Sequence, residues 1–337
     1  MTMNSKDYSK QDLYTSLIRP VSSVEGQFNL HLPDVNPNQT IDEFYSHFDP
    51  LLDADGNEIK KLGDHQREVW NHQFVYAKRA YPKSQKIYFT TTFTLEDIIR
   101  SLTNCMGFEI VLTAQSDFHA QNHLSDFKKL ILQSEFHDYL ITQPVREIGL
   151  ERNEITKASI AYLWNKKNPF YPTKVYAFGF SAAKLLSLKR VKHVHASDIT
   201  ISGNTPENQD KAFASLHSRL ANTQGSFILE APPRGMTGPL YSQYEGFEKI
   251  TKDGIDLSEL SWNEQQKYPF FVKPYDYTVG LENGCFTPEF IEGQRMELGP
   301  LFDMYYGAKF YESDQSWYTN DMFETSADAT DFFGVEQ

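Results

Sequence analysis

The sequence predicts an α/β protein with a mainly parallel sheet, helices on both faces, and irregular N- and C-terminal extensions. Three observations carry this prediction. Short apolar runs rich in β-branched and aromatic residues alternate with longer stretches of helical period, and strands separated by helices pair in parallel. Of the 337 residues, 40% are hydrophobic and 14% aromatic, enough to fill a large core. The two cysteines, Cys105 and Cys285, are too few and too far apart for a disulfide framework or a four-cysteine zinc site. No run approaches the roughly 20 apolar residues of a membrane span, and residues 1–10 are too polar for a signal peptide. A soluble intracellular protein is expected.

The elements follow in order. Residues 1–60 are polar and turn-rich, with Pro33, Pro37, Pro50 and the Asp55-Gly56 pair, and predict an irregular extension with a short helix over 41–47. Residues 86–92 (KIYFTTT) predict the first strand. Thr94-Leu-Glu-Asp97 has the outline of a capping box and predicts a helix through Ile98, Ile99 and Leu102 that stops at Gly107. Residues 108–114 (FEIVLTA) predict a fully buried strand. Ser116-Asp117 then caps a helix with Phe118, His119, Leu124, Phe127, Leu130 and Ile131 on its apolar or small face. Further strands are expected at 174–179, 191–196 and 226–229, with a helix over 208–220 between the last two. On such sheets ligands bind beyond the carboxyl ends of the strands.

The net charge is −13, and eight acids face one base, Lys309, between Asp303 and Gln337. This balance argues against non-specific nucleic-acid binding by the whole surface, without excluding a local basic groove. The acidic tail reads as a solvated end or as a contact for a basic partner. Lys184, Lys189, Arg190 and Lys192 form the clearest basic cluster, which is either a solvated edge or a phosphate or DNA contact.

Three strand ends are candidates for chemistry. A phosphate-binding turn would follow residues 86–92, but it has neither Gly nor Lys; just before it, Arg79-Ala-Tyr-Pro-Lys83-Ser84 has the outline of a phosphate loop with Pro82 in a glycine position. An exposed polar turn is the competing reading. The strand ending at Asp198 puts a carboxylate where nucleotide hydrolases hold Mg²⁺, followed by Ile199 where a water-activating Glu is usual. His193 and His195 share a strand face, and with no further ligand in register they read as structural. The third end runs into Pro232-Pro233-Arg234-Gly235, a stiff turn before an aromatic helix.

The order of these segments resembles the ATPase domain of the large terminase subunit, the motor that packages DNA into tailed-virus capsids. The resemblance rests on Leu62-Gly-Asp-His-Gln66, the 108–131 strand and helix, Asp198, the 225–235 segment, and the Thr287-Pro-Glu-Phe-Ile-Glu stretch leading to Gly299-Pro300. It implies a P-loop NTPase-like sheet over residues 61–310, between a 1–60 extension and an acidic 311–337 tail or linker. It implies ATP and Mg²⁺ as ligands. Asp198 would be the catalytic and Mg²⁺-holding residue, and Gln66, Arg79, Lys83, Ser84, Thr92 and Thr94 would line the nucleotide. Pro232, Pro233 and Arg234 would form the turn that couples hydrolysis to DNA movement. Implied partners are double-stranded DNA, the portal protein, the small terminase subunit and a separate nuclease chain, in a possible ring of identical subunits in the cytoplasm of a bacteriophage-infected host cell. No membrane partner is implied. The family's nuclease domain has no room before Gln337. The missing glycine and Ile199 predict little ATP hydrolysis, so the alternative is an inactive terminase-like subunit serving assembly or regulation. An unrelated doubly wound enzyme is a third reading.

Overall fold

The computed structural model describes residues 32–48, 62–104, 107–181, 188–201 and 205–310. Much of the predicted N-terminal extension, Cys105, Lys184 and the acidic tail beyond residue 310 lie outside the described residues. Among the described residues a seven-stranded sheet runs β3-β4-β2-β5-β6-β1-β7. The strands are β1 (Lys78–Pro82), β2 (Glu109–Ala114), β3 (Ile160–Leu163), β4 (Thr173–Gly179), β5 (Val191–Ser197), β6 (Ser226–Ala231) and β7 (Phe271–Val272). All neighbours pair in parallel except β3 with β4. Seven helices matter here: α1 (Ile41–Tyr45), α2 (Asp64–Val75), α3 (Phe89–Leu102), α4 (Asp117–Leu132), α5 (Pro206–Ala221), α6 (Gly238–Lys252) and α7 (Pro288–Leu298).

The pleat divides the core. Ile110, Leu112 and Ala114 of β2 pack against α3 and α4 through Leu95, Ile98, Ile99, Leu124, Phe127 and Ile131. Val111 of β2, with Val194 and Leu229 of β5 and β6, packs on the other face against Ala212, Leu216 and Leu220 of α5 and Leu240 of α6. Strands this apolar on both faces belong in the interior of a sheet. Leu32, Ile41, Phe44 and Phe48 join the first of these cores beside Trp70 and Phe136.

The first strand is not where the sequence placed it. Residues 86–92 are a loop and the first turn of α3, and the strand is Lys78–Pro82. A KRAYP strand carries two cations into the sheet, which only partners can offset. The Lys78 ammonium donates to the carbonyls of Gln266 (3.0 Å) and Tyr268 (2.6 Å). Burial pushes its pKa down to about 8. Arg79 is fully buried and donates to both Glu96 carboxylate oxygens, at 2.9 and 2.5 Å. The expected cap at Thr94 is helix interior; the Thr94 hydroxyl donates back to the Thr90 carbonyl at 2.7 Å. Phe89 and Phe93, one helical turn apart, stack into the core with Tyr81 and Tyr275, so the β-prone run is held helical by tertiary packing. Ser116 does cap α4, its hydroxyl accepting from the His119 amide, though Phe118 on that helix points outward and is 68% exposed.

Candidate nucleotide site

The chain leaves β1 at Pro82, passes through residues 83–88, enters α3, and returns to the sheet at β2, beyond β6 and β5. The loop after β1 thus lies over the carboxyl ends of β1, β6 and β5, where the strand order changes direction. It contains two lysines, Lys83 and Lys86, and no glycine. Lys86 and Tyr88 both adopt φ of 58°, the left-handed conformation that phosphate loops reserve for glycine. Lys83, Ser84 and Gln85 donate their amides to the carbonyls of Ala231 (3.0 Å), Tyr275 (2.7 Å) and Tyr305 (2.9 Å).

Lys83 is 7% exposed. Its ammonium lies 2.9 Å from Glu230 Oε2 and 3.6 Å from Asp198 Oδ1. Asp198 follows the last residue of β5 with φ of 50°, and its amide donates to the Glu230 carbonyl at 2.7 Å. The register pairs Glu230 with Ser197 on one side and Tyr81 on the other, and Glu230 accepts from the Ser197 hydroxyl. Ile199 is fully buried in the opposite core.

A second polar layer lies under the loop. Asp97 of α3 binds both strand histidines, His193 Nε2 and His195 Nδ1 each at 2.8 Å. An ionised carboxylate only accepts, so these two nitrogens carry the protons, and His193 Nδ1 meets the Ser226 hydroxyl at 2.6 Å. Burial alone would raise the Asp97 carboxyl, but the charge and hydrogen bonds of the two histidines hold it below the usual range. Each histidine of the pair is thus anchored by Asp97. His195 Nε2 faces Glu230 Oε1 at 3.6 Å.

The remaining candidates divide. Gln66 of α2 donates to the Tyr88 carbonyl and to the Thr92 hydroxyl, both at 3.2 Å, and accepts from the Gly63 amide, so Gln66 and Thr92 meet at the end of the loop. Ser84 is fully buried within the loop. Pro232 lies beside β5, its carbonyl accepting from Thr200 at 2.8 Å; Pro233 is buried, and the buried Nε of Arg234 has no hydrogen-bond partner. Arg79 differs from its expected role: both terminal nitrogens are on Glu96 beneath the loop, and only its buried Nε is without a partner. Thr94 likewise points its hydroxyl into its own helix. Of the basic cluster, Lys189 and Arg190 donate their amides to Glu109 at the opposite end of the sheet, so these residues are not part of the site. Glu230 escaped the sequence reading, although the argument that picked Asp198, a carboxylate closing an apolar strand, applied to it equally.

Hard carboxylate oxygens suit Mg²⁺, which is commonly held by one or two of them together with phosphates. Asp198 Oδ1 is buried without a hydrogen-bond partner, so the residues present fit such an ion. Among the described residues no group of three or more acidic, histidine or cysteine ligands is assembled, which means a cation here would have to share oxygens with its ligand.

No family model matches the chain, and no curated protein matches it in sequence. Solved structures do match. The Thermus phage P74-26 large terminase ATPase domain superposes with a TM-score of 0.55 at 13% identity, over 81% of this chain and 99% of that one. The fold is that of a large-terminase ATPase domain. The large terminase of a second thermophilic bacteriophage, solved in complex with ADP, matches at a TM-score of 0.51 and 9% identity over 75% of this chain; the match spans 57% of that terminase. No described helix is long and apolar enough to cross a membrane.

Proposed function

We propose that the chain is a terminase-large-subunit-like ATPase module for packaging viral double-stranded DNA into capsids. One observation carries the reading: in a terminase-type sheet, the lysine-bearing loop after β1 and the carboxylate closing β5 meet at the strand ends, with Lys83 Nζ 3.6 Å from Asp198. In this reading Lys83 neutralises the phosphates and Asp198 holds Mg²⁺. Gln66 exchanges its bonds to Tyr88 and Thr92 for the adenine edge, with Ser84 and Thr92 lining the nucleotide. The turn Pro232-Pro233-Arg234 relays the state of the site to DNA. Bound Mg²⁺ would supply charge neutralisation that no single lysine matches. Double-stranded DNA, a portal protein and a small terminase subunit would be its partners, in the cytoplasm of an infected host, as a ring of subunits.

A specific observation favours a second reading, an inactive subunit used in assembly or regulation. Three loop amides that would face a phosphate are committed to protein carbonyls, and the position after Asp198 is buried Ile199. Binding of a labelled, non-hydrolysable ATP analogue with and without Mg²⁺ tests the first reading. Saturable binding that Lys83→Met weakens supports it; no binding at millimolar analogue leaves the assembly role.

A further inference from the structure

The residue after Asp198 cannot supply a second carboxylate, because Ile199 is fully buried in the core on the far face. The neighbouring strand supplies one instead. Glu230 lies one strand over, register-paired with Ser197, and Ser197 is small enough to leave room for its carboxylate while donating a hydrogen bond to Oε1. Glu230 is 0% exposed. An ionised group at that depth needs a compensating charge, and the nearest cation is the Lys83 ammonium. Two buried carboxylate oxygens in this region have no hydrogen-bond partner, Glu230 Oε2 and Asp198 Oδ1, and they are the two that face Lys83 Nζ. One monovalent ammonium thus sits between two hard anionic oxygens contributed by adjacent strands.

We infer that Glu230 and Asp198 together form the carboxylate pair of a divalent-cation–nucleotide site, and that Lys83 holds the cation's place until a phosphate draws the ammonium away. The inference rests on the nucleotide-binding reading above and extends it to a residue outside the Asp198-Ile199 dipeptide. Charge makes the exchange favourable in one direction only. Two carboxylates and one ammonium leave a net negative site that attracts a divalent cation, and a phosphate then gives Lys83 a new partner. Lys83 can make this move because its backbone is fixed: its amide is bonded to Ala231, and it bridges Tyr275. Only the side chain has to swing.

The test uses the full chain with Mn²⁺ as the probe cation, read by electron paramagnetic resonance, and a fluorescent non-hydrolysable ATP analogue measured in Mg²⁺ and in EDTA. Glu230→Gln, nearly isosteric, is expected to reduce the Mg²⁺-dependent gain in analogue affinity by about tenfold or more, as loss of metal-holding groups commonly does. Its binding in EDTA should not fall below that of wild type, because the residue touches the cation and not the nucleotide, and loss of its charge frees Lys83 for the phosphate. An unchanged Mg²⁺ gain in Glu230→Gln overturns the inference while leaving nucleotide binding in place. Lys83→Met is the second arm, read with Mn²⁺ alone and independent of nucleotide or of whether Glu230→Gln folds. Removing the competing ammonium should tighten Mn²⁺ binding roughly tenfold, and no tightening overturns the pair. If wild type binds no analogue under either condition, the nucleotide reading falls, and the Mn²⁺ arm still decides whether the two carboxylates hold a cation.

Discussion

Glu96 holds two arginines at once, Arg79 from β1 and Arg100 one turn further along α3, the latter at 2.6 Å. Burial would raise the Glu96 carboxyl, but the two guanidinium charges hold it well below the usual range. Removing its charge leaves Arg79 buried and uncompensated, which typically costs ~3–5 kcal/mol. Glu96→Gln should therefore lower the unfolding free energy by several kcal/mol in denaturant titration, and a loss under about 1 kcal/mol would refute the account. Two histidines set a second expectation. Burial, reinforced by nearby positive charge, pushes His72 and His123 down to about 4. The unfolded chain takes up protons near pH 6.5 and the folded one only near 4, so stability rises with pH across that window and is lost as pH falls through it. The slope is up to about 1.4 kcal/mol per pH unit for each histidine. Denaturation midpoints should drop between pH 7 and pH 5, and substituting both histidines with Gln should flatten the drop. A double variant as pH-sensitive as wild type would place the titration elsewhere.

At the scale of elements, most of the sheet was legible in the sequence. Strands β2, β4, β5 and β6 announce themselves as short, largely apolar runs, and α4 because Ser116 caps it; α5, expected over 208–220, begins two residues earlier at Pro206 behind Thr205. β1 was not legible, since its Lys78 and Arg79 are satisfied by Gln266, Tyr268 and Glu96, partners that no local pattern reveals. The run at 86–92 failed for the opposite reason: its composition suits a strand, but Phe89 and Phe93 find their core only in helical spacing. The candidate site was half legible. Lys83 and Asp198, both named from the sequence, lie 3.6 Å apart, whereas no local pattern reveals that Arg79 pairs with Glu96. The left-handed Lys86 gives this loop its own prediction. Lys86→Val forces a β-branched residue into that conformation and should cost ~1–2 kcal/mol, whereas Lys86→Gly should change stability by less than about 1 kcal/mol because relieved strain offsets added chain entropy. Equal costs for the two variants in thermal melts would show that the strain is not borne there.

For the molecule as a whole, hydrolysis is the property most exposed to what the site lacks. Without a base beside Asp198, the loss of rate is typically 10²–10⁴-fold, and with the loop amides engaged elsewhere there is little to stabilise developing phosphate charge. The isolated chain should turn over ATP little above background. Turnover near one per second, abolished by Asp198→Ala, would show instead that Glu230 or a residue from a neighbouring subunit completes the chemistry. The three carbonyls that occupy the loop have a further consequence. Ala231, Tyr275 and Tyr305 belong to three separate stretches of chain, so the loop amides act as a buckle fastening them together. Any anion that takes those amides must trade against bonds worth ~0.5–1.5 kcal/mol each, which for all three would weaken its apparent affinity on the order of tenfold to a thousandfold. Unfastening the buckle would also release the segment around Tyr305. Slow deuterium uptake at Ser84 and Gln85 should therefore accelerate or slow in step with that at Tyr306, whose amide shares a peptide group with the carbonyl that holds the loop shut.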